Sequence, residues 1–257
     1  MNDLSSELSN EAARHHASVY GSPGEQPKLA GLMRSVWPLF VGIGVAGWLI
    51  RAAAPVPSIS RTFAGVLLLF LAAGLGAVVI RGRERLENFL KGSRGEERTA
   101  RELSFLPADY TVFHGVPVEK SGCSGKDADY DHIVIGPTGV FSIETKNWNG
   151  TIEVEDQRIL FNGKEPDRPP VQQAVRAARG LRKRLTDANG ESPEITPVLC
   201  FVADTPTLRE NPSMVFGVQV CDLASLRHVI LGGERHILDK KTRKFAEDRL
   251  INAVKGI

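Results

Sequence analysis

The sequence predicts an α/β domain preceded by two transmembrane α-helices. Two uncharged apolar runs, Val36 to Ile50 and Thr62 to Ile80, stand in the first third of the chain. From about residue 90 onward, short strand-like runs alternate with amphipathic helical stretches, the pattern of a layered α/β domain. The 257 residues carry a formal charge of only +2, so any basic footprint is local and composition alone does not imply nucleic-acid binding. Cys123, Cys200 and Cys221 lack CxxC spacing, which indicates neither a zinc site nor a disulfide framework.

The second apolar run has 19 residues. As a helix rising 1.5 Å per residue it spans about 28 Å, close to a bilayer core of roughly 30 Å. The first run is shorter and must recruit residues 31–33 or 52–54, with Arg34 or Arg51 snorkelling toward headgroups. Trp37 and Trp48 near its ends suit the interfacial belt. The alternative is a pair of buried core helices, but "GVLLLFLAAGLGAVVI" is apolar all round. The leader is polar and opens without a cationic segment, unlike a cleaved signal peptide. Arg81, Arg83, Arg85, Lys91 and Arg94 follow the second run, against Arg51 and Arg61 in the connection. The positive-inside rule therefore predicts a multi-pass cell-membrane protein with both termini and the soluble domain cytoplasmic. The expected organisation is a polar tail at 1–34, a transmembrane hairpin in contact with lipid at 35–80, a basic linker at 81–90, a core domain at 91–204 and a C-terminal α/β extension at 205–257.

Within the soluble part, "RGEERTARELSFL" reads as a helix and "YTVFHGVPV" as a strand. The glycine-rich "EKSGCSGKDAD" has the composition of a surface loop. "YDHIVIGPTGVFSIETKNWNG" reads as a β-hairpin turning at Pro137 to Gly139, followed by short strands at "GTIEVED" and "RILFNG". Pro169 and Pro170 mark a helix start before "VQQAVRAARGLRKRL". The tail adds strands "PVLCFVAD" and "VFGVQV", a short helix from Asp222 and a basic amphipathic helix around "KKTRKFAEDRLINAVKG".

The hairpin carries the first candidate site. Side chains alternate along a strand, so Glu144 and Lys146 share one face while Phe141, Ile143 and Thr145 take the other. Pairing through the Pro137 turn brings Asp131 to the strand end where Glu144 and Lys146 emerge. Two carboxylates can hold a hard divalent cation, and an adjacent ammonium can stabilise charge developing on a phosphoryl group. The competing reading is an exposed hairpin face, because an acid two residues before a lysine is cheap. Asp239 and Lys241 supply another case, in a helical, evenly charged stretch.

Glu96 falls on the same helix face as Ala100 and Leu103, whereas Glu97 points away. An acid turned toward the packed side is costly unless paired or ligated, although a first-turn acid also complements the helix dipole. Gln173 lies in the first turn of the helix after the double proline. On that helix Val171, Val175, Ala178 and Leu185 form an apolar face, and Gln172, Arg176, Arg179 and Lys183 form a stripe beside it. Such a stripe is a solvated face or a contact for a phosphate backbone.

Taken together, "GSRGEERTARELSFL", "DYDHIVIGPTGVFSIETKNWNGTI" and "PPVQQAVRAARGLRKRL" resemble the nuclease-related domain, NERD, over about Lys91 to Asp204. That family is placed in the PD-(D/E)XK nuclease superfamily. The resemblance implies a restriction-endonuclease-like core, a mixed β-sheet flanked by helices. It further implies that Glu96 is the helix acid, Asp131 and Glu144 the metal ligands, Lys146 the catalytic lysine and Gln173 the glutamine that follows the core. Mg²⁺ or Mn²⁺ is the cofactor it implies, and nucleic acid, DNA ahead of RNA, the partner. Two rivals to a metal-dependent nuclease stay open. One is a nuclease fold that grips nucleic acid or a protein without cutting, and the other is a membrane-anchored assembly factor with structural carboxylates.

Overall fold

The computed structural model describes residues 16–23, single positions and short stretches between 37 and 87, and residues 90–118, 129–155, 157–203, 206–208, 211–232 and 238–255. The chain divides into two compact units, one made of Met1–Gly24 with Gly92–Ile257 and the other of Glu25–Lys91. In the second unit the described positions between 37 and 48 are helical, and Trp37, Phe40, Val41, Ile43, Val45 and Trp48 are exposed. Among the described residues no helix is long and apolar enough to cross a membrane. Most of the second apolar run, part of the first, and the loop at 119–128 with Cys123 lie outside the described residues.

The first unit is built on a seven-stranded mixed sheet. Its strands are β1 (Ser18–Tyr20), β2 (Thr111–Pro117), β3 (Asp129–Gly136), β4 (Gly139–Lys146), β7 (Ile195–Phe201), β9 (Ser213–Val215) and β10 (Val218–Asp222), in spatial order β1-β2-β3-β4-β7-β10-β9. A second sheet of three strands joins β5 (Gly150–Glu155), β6 (Arg158–Phe161) and β8 (Pro206–Leu208) in the order β6-β5-β8. Four helices accompany them: α1 over residues 90–104, α2 (Pro170–Arg184), α3 (Leu223–Leu231) and α4 (Lys240–Lys255).

Helices cover both faces of the large sheet, which explains why β4 is buried along nearly its whole length rather than on alternate residues. On one face Leu103 of α1, Leu106 just after it, and Leu226 and Ile230 of α3 pack against Val134, Phe141, Ile143 and Val198. On the other, Leu181 of α2 and Ala246 and Leu250 of α4 meet Phe113, Ile133, Ile135 and Val140. The small sheet joins this second face through Ile152 and Ile159, which pack with Val171, Ala174, Leu199 and Phe201.

Three expectations change. The N-terminal segment, read as a polar tail, contributes β1, which runs parallel to β2 from Ser18↔Thr111 to Tyr20↔Phe113. Tyr20 stacks on Phe113 at 5.3 Å, and the amide N–H groups of Ala17 and Ser18 donate to the carbonyls of Leu106 and Tyr110. "VFGVQV", read as one strand, is a hairpin, because Phe216 and Gly217 take positive φ (47° and 76°) and reverse the chain between β9 and β10. Finally, the region read as a C-terminal extension is part of the core sheet, since β10 pairs with β7 from Gln219↔Val198 to Asp222↔Phe201.

Candidate active site

The predicted hairpin forms, with His132↔Ile143 to Gly136↔Gly139 as its paired residues. At one end the two-residue Pro137–Thr138 turn closes it. At the other, the ladder stops just before Asp131 and Glu144, and side chains take over the hydrogen bonding. The backbone N–H of Thr145 donates to Asp131 Oδ2 at 2.8 Å. β4 continues past this point because its other edge is held by β7, through Glu144↔Leu199, Thr145↔Cys200 and Lys146↔Phe201. On the β2 side, Gly115 lies between His114 and Val116, as Asp131 lies between their partners His132 and Tyr130. Gly115 has φ 59°, a conformation that glycine adopts without a Cβ penalty.

Glu144 is buried at 7% exposure, and Lys146 Nζ donates to its Oε1 at 2.7 Å. The Lys146 side chain is the more open of the pair, at 20% against 9%. Asp131 is half-buried as a residue, but its carboxyl is enclosed. Burial pushes that carboxyl well above the usual carboxylate range, and the negative charges of Glu144 and Glu96 add to the effect. The Thr145 N–H and the Lys146 ammonium pull the other way without reversing it. Two carboxylates therefore bear on Asp131, with the Lys146 ammonium beside them. This is a donor set with negative charge in excess, and it suits a hard cation.

Asp131 and Glu144 are the residues that would hold Mg²⁺ or Mn²⁺, because magnesium commonly takes only one or two protein carboxylates and keeps several waters. Among the described residues no group of three or more His, Cys, Asp or Glu side chains is arranged to hold a metal ion. A two-carboxylate site is consistent with that.

The helix acid arrives through a close approach that the sequence reading missed. Glu96 is half-buried and Glu97 exposed, as the helical face predicts. The residue before them, Gly95, is buried, and a Cβ there would stand 2.9 Å from the Asn147 Cβ. Glycine inside a helix costs about 1 kcal/mol relative to alanine. Here it lets α1 lie directly on the exit of β4, so that the Glu96 charge reaches Asp131. One turn on, Thr145 Oγ1 donates to Thr99 Oγ1 at 3.3 Å and ties the two elements together on the same face of the strand. The signal in the sequence was a glycine immediately before a pair of acids in a helical stretch.

The sequence reading also passed over a buried histidine pair. His114 and His132 face each other across β2 and β3 with Nδ1 to Nδ1 at 2.7 Å, one donating and the other accepting. Burial lowers the pKa of His114 to about 4 and that of His132 well below its ordinary value, so both rings are neutral.

On α2, Pro170 occupies the first turn after the Pro169 N-cap. Pro170, Val171, Ala174, Ala178 and Leu181 are the buried residues, so the inward face includes Ala174 and Leu181 beside the predicted Val171 and Ala178. Gln173 is half-buried at the start of the helix and makes no side-chain hydrogen bond among the described residues. Arg176, Arg179 and Lys183 are exposed together with Gln172, as the stripe predicts. Arg182 is also exposed and donates to Ser192 Oγ at 3.1 Å.

Residues 91–202 match the family described as nuclease-related domain, NERD. The nuclease-related segment runs from α1 through the end of β7 and holds every residue of the candidate site. An uncharacterized protein of Bacillus anthracis is 48% identical over 63 residues, which cover 24% of this chain and 29% of that protein. The chain thus spans less than a third of the relative it matches. No solved structure gives a significant match.

Proposed function

We propose that the chain is a membrane-tethered, nuclease-like protein that hydrolyses phosphodiester bonds in DNA, with RNA as the second substrate class, using Mg²⁺ or Mn²⁺. The observation that carries this reading is the convergence of Glu96, Asp131, Glu144 and Lys146 at the open end of one hairpin inside the nuclease-related segment. A divalent cation on Asp131 and Glu144 would polarise the scissile phosphoryl group and activate water. Lys146 holds an ammonium against Glu144 and is the more exposed of the two, placed to stabilise negative charge developing on substrate. Glu96 adds to the field that makes the pair hungry for a cation, and Gln173 brings a neutral donor and acceptor from α2. Arg176, Arg179 and Lys183 form the proposed contact with the phosphate backbone.

The tether rests on the two apolar runs and on the exposed tryptophan, phenylalanine and aliphatic side chains at helical positions 37–48. Chain connectivity adds a constraint. Residue 18 is hydrogen-bonded beside residue 111, so both ends of the Glu25–Lys91 unit join the same folded body. A segment anchored this way crosses a bilayer an even number of times, which fits a two-helix hairpin with both termini in the cytoplasm. Reporters fused after Ile257 and inserted near Pro57 should lie on opposite sides, and a C-terminal reporter found outside would overturn the orientation.

The second reading, a module that binds nucleic acid without cutting it, draws on the exposed α2 stripe. The deciding experiment incubates the detergent-solubilised full chain with double-stranded DNA, single-stranded DNA and RNA, with and without Mg²⁺ or Mn²⁺. Metal-dependent products that vanish in both Glu144→Gln and Lys146→Ala support the nuclease. No cleavage of any substrate, with binding that the triple alanine replacement of Arg176, Arg179 and Lys183 abolishes, would establish the binding module instead.

A further inference from the structure

A cavity of about 620 Å³ opens at the end of the large sheet opposite the candidate active site. Its walls come from the β3–β4 turn, the loop between α2 and β7, and the start of α4. The volume falls within the range of ligand pockets. Leu185, Pro193, Leu238 and Phe245 give it an apolar lining. Four acids also line it, Asp187, Glu191, Glu194 and Asp239, against one lysine, Lys241. Arg182 lies beside it through its bond to Ser192.

The acids are not equivalent. Asp187 accepts the backbone N–H groups of Asn189 and Glu191, and Asp239 accepts those of Lys241 and Thr242. Both are thus committed to their own loops. Glu191 and Glu194 are exposed, and neither carboxylate has a hydrogen-bond or ion-pair partner among the described residues. They flank the buried Pro193, three positions apart. Leu185 is also the C-cap of the 15-residue α2, so the negative end of that helix dipole reaches the cavity. The start of α4 offers no free helix N-terminus, because Asp239 already caps its first N–H groups, and the positive charge it brings to the lining is that of Lys241.

An apolar floor under two unengaged carboxylates and a helix C-terminus calls for a cation on a hydrocarbon stem. We propose that this cavity binds the arginine side chain of a basic peptide segment presented by a protein partner. The three methylenes of arginine cover the half-buried Leu238 and Phe245 while its planar guanidinium forks onto Glu191 and Glu194. A peptide fits better than a free polyamine because the cavity is open-mouthed and acidic at one rim, with space beyond a single stem for flanking apolar residues.

The test uses the full chain in detergent and a fluorescein-labelled hexapeptide alternating arginine and leucine. Its controls are the glutamate–leucine counterpart and spermidine. Fluorescence anisotropy should show salt-sensitive binding of the arginine peptide, none of the glutamate peptide, and at least a tenfold loss in the double variant Glu191→Gln, Glu194→Gln. Lys241→Ala should tighten binding about two- to threefold. Both glutamates are exposed, so an unchanged unfolding temperature would verify that the variant folds. Metal-dependent cleavage of nucleic acid should be the same in wild type and double variant, which separates this site from the active site. Arginine-peptide binding that is absent, or that survives the double substitution, would overturn the proposal. Spermidine competing as well as the peptide would also overturn it.

Discussion

The chain contains two acid-x-lysine stretches, Glu144 with Lys146 and Asp239 with Lys241, and the fold treats them in opposite ways. The first lies on a strand buried under helices on both faces. There the acid is nearly sealed from water and the lysine closes on it at 2.7 Å. The second lies at an exposed helix start, where the aspartate caps α4 by accepting the N–H groups of Lys241 and Thr242. The Thr242 hydroxyl, followed by the Thr242 N–H, holds the Asp239 carboxyl below its usual range. At the hairpin, burial and neighbouring carboxylates hold the Asp131 carboxyl far above it. A capping acid is satisfied by its own backbone and has nothing left to offer a ligand. The hairpin acids are in electrostatic excess, which a bound cation would relieve.

The largest contrast should appear in turnover. Lys146→Ala should lower metal-dependent cleavage by several powers of ten, each factor of ten being about 1.4 kcal/mol of transition-state stabilisation, while Lys241→Ala leaves it unchanged. Equal effects from the two lysines would erase the distinction. Next in size is the helix that completes the site. Gly95→Ala should cost roughly 1–3 kcal/mol through overpacking against Asn147, where an open helix position would gain about 1 kcal/mol. Denaturant unfolding gives the sign, and calorimetry with Mn²⁺ should show weaker binding as α1 is displaced. A more stable Gly95→Ala protein would mean that α1 has room to spare.

The two aspartates then predict stability changes of opposite sign. For Asp131 the folded pKa lies above the unfolded one, so ionisation costs stability as pH rises through the interval between them. Asp131→Asn should therefore raise the Tm of metal-free protein at neutral pH, with the gain disappearing in acid. For Asp239 the folded pKa lies below the unfolded one, so its contribution is present above about pH 4 and is lost on acidification. Asp239→Ala should lower Tm at neutral pH through loss of the cap. A fall in Tm for Asp131→Asn would favour a structural role for the hairpin acids.

The buried His114–His132 pair adds an acid-side loss of its own. With a folded His114 pKa of about 4 against 6.5 unfolded, its neutral form is fully favoured above pH 6.5. Stability is then lost as pH falls toward 4, by roughly 3 kcal/mol in all. Measured in the Asp131→Asn background, where the opposing carboxyl is gone, the pH–stability curve should steepen over that interval. The smallest effect concerns β1. A soluble fragment that begins at Gly82 lacks the strand that covers β2, so it should be less stable than one with residues 16–22 restored and more prone to edge pairing.

Local pattern was enough for much of this. Period-two alternation and the Pro137 turn specify the β3–β4 hairpin, paired prolines start α2, and Asp222 caps α3, because each depends on residues a few positions apart. The shared face of Glu144 and Lys146 and the inward turn of Glu96 follow from the same periodicities. Non-local contacts had to decide the rest. Nothing in "SVY" announces a strand, since its partner lies more than ninety residues away. The excess charge at Asp131 needs Glu96 and Glu144 within reach of it, and Gly95 against Asn147 is what brings α1 that close. Spacing alone reads Glu144-x-Lys146 and Asp239-x-Lys241 alike. Burial separates them, because only the packed sheet removes the water that would otherwise screen the charge.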